Sequence, residues 1–258
     1  MLLTTGNENI LIGVAAGDSL TTGSQNVVVG RNALQTEDAH GRNVAVGYSA
    51  LKVQDAGADA YNVAIGYNAG VAVTTGTSNV LLGSQAGDAL TTGSHNVAVG
   101  RGALGTEDTG GKNTAIGHEA LNTLDAGGNG NDTAVGFEAG KAMTTGVANT
   151  LVGSQSGISL TSGSWNTSVG YNSLVNEDAN GYNTAVGAGT LQAQNAGADA
   201  YNVAVGYNAG NAISTGIRSV LIGAAAGDAL TTGGYNIAIG YSALSTEDTG
   251  SRSIAIGY

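Results

Sequence analysis

The sequence predicts an all-β protein built as a parallel β-solenoid, a β-roll or β-helix, and three observations lead to this prediction. A five-residue phrase of Asn, three small or branched apolar residues and Gly, such as 43–47, recurs along the whole chain of 258 residues. The closing glycines follow one another at steps of 17, 17, 19 and 17 residues, which gives a super-repeat of 70 residues. Gly is also abundant, with 44 residues. A short fixed period of this kind is typical of stacked repeat architectures.

Each phrase predicts one short β-strand, because branched apolar residues occupy it and Asn and Gly bound it. Strand alternation places Val44 and Val46 on one face and Ala45 on the other. We expect the two outer residues to fill the interior of the turn and the middle residue to face a neighbouring chain. The middle residue is Leu in every fourth phrase, and these are Leu11, Leu81, Leu151 and Leu221.

The connections between phrases repeat as well. After the Gly come two variable residues and then, in most turns, Ala followed by Leu or Gly, as in Ala50-Leu51 and Ala69-Gly70. The sequence leaves open whether this corner is a short helical turn or a second strand. A longer loop at 55–60 accounts for the 19-residue steps, and glycines supply the positive φ angles of tight turns. We expect about 14 turns of 17 or 19 residues in one repeat domain, 1–258, as an excerpt of a longer fibre.

The Asn residues that open the phrases predict a structural ladder. Their short polar side chains can bond nearby backbone groups, and equivalent residues on stacked strands lie about 4.8 Å apart. The predicted ladder includes Asn26, Asn43, Asn62, Asn79, Asn96 and Asn113.

Composition excludes several classes of function. The net charge is −11 and only 8 residues are Lys or Arg, whereas nucleic-acid binding needs clustered basic residues that displace counterions. No apolar run approaches the roughly 20 residues of a membrane-spanning helix, so we expect no membrane insertion. The chain has no Cys, which excludes disulfides and thiolate metal sites.

The sequence offers no convincing catalytic constellation, and we expect no enzyme and no cofactor. The Gly-x-Gly-x-x-Gly pattern at 100–105 lacks the long helix that a dinucleotide site requires. The three His residues lack metal-ligand spacing. We interpret the adjacent pair Glu37-Asp38 and its copies as a solvated acidic edge.

One metal interpretation remains, for calcium. Asp55, Asp59 and Asp199 offer hard oxygen ligands beside glycines, a setting that calcium favours. Their spacing does not match the known calcium-binding loops.

Aromatic residues flank many phrases on both sides, as Tyr61 and Tyr67 do in one turn and Tyr201 and Tyr207 in its copy. With nearby Asn and Asp they form an edge suited to stacking on surface glycans. The interpretation we prefer is that they shield corners or seal contacts between chains, because Tyr is enriched at interfaces.

The phrase with its continuation, Asn-Val-Ala-Ile-Gly-Tyr-Asn-Ala-Gly at 62–70, resembles two families over essentially the whole chain. One is the NTAxGYxAL repeat of phage tail-fibre proteins, and the other is the head of trimeric autotransporter adhesins with its VAIG turns. The resemblance implies a homotrimeric, stiff β-solenoid that attaches to a surface, located outside the cell or on a virion.

Three functions therefore stand as expectations. The first is a structural fibre or stalk module that presents a host-attachment tip. The second is a carbohydrate-binding adhesive module that uses the Tyr/Asn edge. The third is a subunit of a self-assembling extracellular filament.

Overall fold

The computed structural model describes residues 4–258, and its regular structure is entirely β-strand. The predicted fold class is confirmed, since fifteen short parallel strands form a β-solenoid with one strand in each turn. The chain contains two compact units, Met1–Asn131 and Asp132–Tyr258, which we call unit 1 and unit 2. A search of residues 4–258 for a helix of sufficient length and apolarity to cross a membrane finds none.

Every strand is three residues long. Unit 1 contains β1 (Ile10–Ile12), β2 (Val27–Val29), β3 (Val44–Val46), β4 (Val63–Ile65), β5 (Val80–Leu82), β6 (Val97–Val99) and β7 (Thr114–Ile116). Unit 2 contains β8 (Thr133–Val135), β9 (Thr150–Val152), β10 (Thr167–Val169), β11 (Thr184–Val186), β12 (Val203–Val205), β13 (Val220–Ile222), β14 (Ile237–Ile239) and β15 (Ile254–Ile256).

Within each unit, consecutive strands pair in parallel and in register. Val44 of β3 pairs with Val27 of β2 on one side and with Val63 of β4 on the other. The pairing therefore joins equivalent positions of the repeat, whether the step is 17 or 19 residues. The two extra residues of the longer steps lie in the mostly exposed loop at 55–60 and its copies.

The prediction of which strand face points inward is wrong. The middle residues, such as Ala45 of β3 and Leu81 of β5, are completely buried, whereas the outer residues Val44 and Val46 are only half-buried. The interior is therefore lined mainly by Ala and Leu, and the Val and Ile residues at the first and third strand positions point outward, whereas Val28 at a middle position is buried. A three-residue strand gives one side chain to one face and two to the other, and the narrow interior takes the single one.

The corner after each of the strands β1 to β14 is a turn, neither helical nor a second strand. In the turn after β3, Ser49 and Leu51 both have positive φ angles, of 55° and 48°. The backbone N–H of Leu51 donates to the carbonyl of Ala69 in the next turn, at 3.1 Å. Hydrogen bonds between turns thus continue outside the sheet.

Packing explains the 70-residue super-repeat. The Leu81 side chain occupies the space beside Gly70 and Gly87, where an added Cβ would lie 2.6 Å from Leu81 Cδ1 and 2.8 Å from Leu81 Cδ2, respectively. A Leu in the strand therefore requires Gly at the corners of its own turn and the preceding turn. Leu221 packs in the same way beside Gly210 and Gly227, at 2.7 and 2.9 Å.

The Asn residues form a hydrogen-bonded ladder that runs mainly through the backbone. Asn96 is completely buried. Its Oδ1 accepts from the backbone N–H of Asn113 at 3.0 Å, and its Nδ2 donates to the carbonyl of Gly110 at 3.0 Å. The ladder thus satisfies buried polar groups of neighbouring turns. Equivalent bonds from side-chain oxygen to backbone N–H are made by Asn26, Asn43, Asn62 and Asn79.

We expect Asn96→Ala to destabilise the protein by about 2–4 kcal/mol, because it leaves a buried N–H and a buried carbonyl without partners. Asn96→Ser is the matched control. Ser219 likewise stands directly before a strand, β13, and its Oγ still accepts from the N–H of Asn236 at 3.2 Å. The free energy of unfolding, measured by urea unfolding, should therefore fall about half as much for the Ser variant as for the Ala variant. Equal losses for the two variants would contradict the assigned role of the side-chain oxygen.

Candidate functional site

The most distinctive surface of each unit is the outer face of its sheet, formed by the first and third residues of every strand. We call this the outward sheet face. In all fifteen described strands these positions hold Val, Ile, Leu or Thr, and none is charged. In unit 1 the third positions are Ile12, Val29, Val46, Ile65, Leu82, Val99 and Ile116. In unit 2 they are Val135, Val152, Val169, Val186, Val205, Ile222, Ile239 and Ile256.

The outward sheet face is accessible and large. Its residues are half-buried or exposed, and Ile65, for example, is 41% exposed. With strands about 4.8 Å apart and a strip about 10 Å wide, it covers about 350–400 Å² in each unit. The largest exposed apolar patch of a soluble protein is commonly of about this size and is often functional.

Aromatic and cationic residues border the outward sheet face on both edges. In unit 2 the residues before the Asn positions stack on one another. The ring centroids of Tyr182 and Tyr201 lie 4.9 Å apart, and the Arg218 guanidinium lies 5.7 Å from the Tyr201 ring and 5.6 Å from the Tyr235 ring. In unit 1, on the other edge, the rings of Tyr48 and Tyr67 lie 5.5 Å apart. Such contacts stabilise by roughly 0.5–1.5 kcal/mol each.

The four glycan candidates are all on the surface. Tyr67 and Tyr207 are 54% and 64% exposed, and Tyr61 and Tyr201 are also exposed. One ring face of Tyr67 is covered by Tyr48, and Arg42 lies over the ring of Tyr61 at 5.4 Å. The Asn ladder next to these rings is buried. Glycan binding by this edge therefore stays a prediction. Because the Asn side chains are buried, any such binding would rely on the exposed Tyr rings.

The acidic turns differ from the predicted solvated edge. Glu37, Glu107 and Glu177 are completely buried, whereas Asp38 and Asp108 are exposed. Each Glu turns back beneath its own corner and accepts a hydrogen bond from a backbone N–H three residues later; for Glu107 Oε1 and Gly110 N the distance is 2.6 Å. Burial raises the pKa of the Glu107 and Glu177 carboxyl groups.

The calcium candidates occupy two different environments. The ligand atoms of Asp55, Glu37, Asp38 and His40 lie within 4.8 Å of one another. The three carboxylates offer the oxygen ligands that calcium prefers, whereas His40 offers a ring nitrogen. Asp59 instead accepts from the N–H of Gly41 at 3.0 Å and pairs with Arg42 at 2.9 Å.

In unit 2, Asp199 accepts from the N–H of Gly181 at 3.0 Å, as Asp59 does from Gly41. Asp59 and Asp199 therefore fasten the longer loop to the preceding turn. A second acidic group consists of Glu107, Asp108 and Asp125, whose carboxylate oxygens also lie within 4.8 Å of one another. Sequence spacing missed both groups because their members come from successive turns.

Comparison with known proteins adds no assignment. The chain matches no family model, and a comparison with curated proteins finds no match.

Proposed function

We propose that the protein is a non-enzymatic structural module that assembles with copies of itself through the outward sheet face. Following the resemblance to tail fibres and adhesin heads, the assembly is a homotrimer outside the cell or on a virion. It serves as the shaft of a fibre that presents a host-attachment tip. The observation that carries this proposal is an uncharged aliphatic surface along one side of each β-solenoid unit.

The size of this surface supports self-association. By the same strand spacing, the outward sheet face of each unit measures about 350–400 Å². Stable interfaces bury about 800 Å² on each partner. Burial at roughly 25 cal/mol per Å² supplies the driving force.

The distribution of charge also supports self-association. The chain carries a net charge of −11, yet its charged side chains lie in the turns and none lies at an outward strand position. Copies that meet through this face would therefore bury no unpaired strand charge. Like charges in the turns would stay in solvent, where salt screens their repulsion.

The shape of the side chains supports a single mode of contact. Val, Ile and Thr are stiff at χ1, so they present a regular surface that loses little side-chain entropy on contact. Rows of similar branched side chains at one spacing can interdigitate with the same rows on another copy. This is the geometry of a self-complementary surface.

The proposal predicts that Val46→Lys together with Val99→Lys abolishes assembly, because each interface would bury two unpaired ammonium groups. Light scattering after size-exclusion chromatography measures the effect, and the expected mass is that of a single chain. Val71→Lys is the matched control, since Lys141 occupies the equivalent position one super-repeat later in the corner after β8. The control should assemble like the unsubstituted chain.

Circular dichroism of each variant establishes that the solenoid remains folded. If the Lys pair unfolds the protein, the milder pair Val46→Thr and Val99→Thr should weaken assembly at least tenfold without unfolding. Assembly that is equally strong in the folded Lys or Thr variants and the control would contradict the proposed interface.

A further inference from the structure

A small open cleft lies in unit 1 beside the corners that follow strands β5, β6 and β7. It has a volume of about 230 Å³. Its lining side chains come from three successive turns and include Gln85, Asp88, Arg101, Glu119 and Asn122, together with Thr106. The cleft is away from the middle strand positions that form the core.

The cleft exists because two glycines replace larger residues. Gly102 and Gly105 line it. The equivalent positions are Asn and Gln at 32 and 35, Asn and Val at 172 and 175, and Ser at both 242 and 245. These are the second and third glycines of the Gly-x-Gly-x-x-Gly pattern, which thus has a structural consequence unrelated to dinucleotide binding.

The groups around the cleft carry both signs of charge. Arg101 Nη1 donates to Glu119 Oε1 at 3.2 Å, and Asn122 Nδ2 donates to the carbonyl of Gly102 at 2.8 Å. Gln85 Nε2 donates to Asp88 Oδ2 at 3.5 Å. Partial burial raises the pKa of the Asp88 carboxyl group. The lining therefore combines a guanidinium, two carboxyl groups, two amides and a hydroxyl, without an aromatic or large aliphatic side chain.

We propose that this cleft binds one neutral, hydroxyl-rich molecule of the size of a single sugar ring. Carboxylates accept hydrogen bonds from hydroxyl groups, whereas guanidinium and amide N–H groups donate to them. The mixed charges select against anions and apolar molecules. The volume is below the range of about 300–1,000 Å³ for drug-sized ligands, so a monosaccharide or a linear polyol fits best.

Among residues 4–258, the full set of these lining residues occurs once. In the first copy Ser49 and Lys52 replace the Glu119 and Asn122 positions, and in the third copy Ile158 replaces the Asp88 position. The cleft and its full set of polar groups therefore coincide at a single place.

Saturation-transfer NMR of the full chain with glucose, galactose, mannose and sorbitol at millimolar concentration tests the proposal. At least one of these probes should bind the unsubstituted chain. The variant Gly102→Asn with Gly105→Gln, which installs the side chains of the first copy, should lose the signal. Glu119→Gln, a smaller change, should weaken binding at least fivefold, and thermal unfolding establishes that both variants are folded. No binding of any probe, or unchanged binding in the folded variants, would overturn the proposal.

Discussion

Replacing Gly100 with Ala is expected to destabilise the protein by about 4 kcal/mol or more. Gly100 closes strand β6 with a φ angle of +132°, a conformation that is strained by about 1–3 kcal/mol for a residue with a side chain. An added Cβ would also overlap the carbonyl group of Gly117 in the next turn, at 2.6 Å from its carbon. Because backbone atoms on both sides are fixed by the sheet, the overlap has no inexpensive relief.

Gly128→Ala is the matched control for Gly100→Ala. No heavy atom lies within 4 Å of the added Cβ at Gly128, and the φ angle there is not positive. This variant should change stability by less than about 0.5 kcal/mol. Urea unfolding followed by circular dichroism measures both variants. A similar small effect at Gly100 would show that neighbouring turns are not in the close contact described.

Leu81→Ala should cost about 3–5 kcal/mol. Leu81 is completely buried, and its two methyl groups fill the spaces beside Gly70 and Gly87. Its removal leaves a cavity that adjoining glycines cannot fill. Val80→Ala, at the half-buried outward position of the same strand, is the control and should cost about 1 kcal/mol.

A double-mutant cycle tests the explanation of the super-repeat. Gly70→Ala places a Cβ against Leu81 Cδ1 in the unsubstituted chain, and this overlap disappears in Leu81→Ala. The two substitutions together should therefore cost about 1 kcal/mol less than the sum of their separate effects. If the losses of stability from the two substitutions simply added, the side chain at 81 would not determine which residue is tolerated at 70, and the explanation would be wrong.

The fold class follows from the sequence because the repeat is unusually regular. One strand in each turn, parallel pairing and in-register stacking all follow from a phrase that recurs at a nearly fixed step. The Asn positions were also identifiable, because a short polar residue beside an apolar strand has few ways to satisfy its hydrogen bonds.

The direction of the strand faces could not be deduced from alternation. The pattern shows that Val44 and Val46 share a face, but both faces are apolar, so it does not show which one is inside. A better signal was the size rhythm of the middle residue. Leu at position 81 coincides with Gly at 70 and 87, and such large-to-small compensation is expected only between side chains that share an interior.

The buried Glu side chains and the cleft were hidden for a different reason. Glu107 lies in a polar turn sequence, and only the three-dimensional turn shows its carboxylate accepting from the N–H of Gly110. The cleft depends on residues of three turns, from Gln85 to Asn122. The repeat period brings such residues together, but the absence of a side chain at Gly102 and Gly105 becomes visible only in comparison with the other copies.

The mass of the unsubstituted protein in native solution tests the central claim most directly, that copies of the chain meet through the outward sheet face. Native mass spectrometry across the micromolar range should give a species of three chains of 25.2 kDa. The species should dissociate to single chains when Val46 and Val99 are both replaced by Lys. A single chain of 25.2 kDa at every concentration would contradict the account.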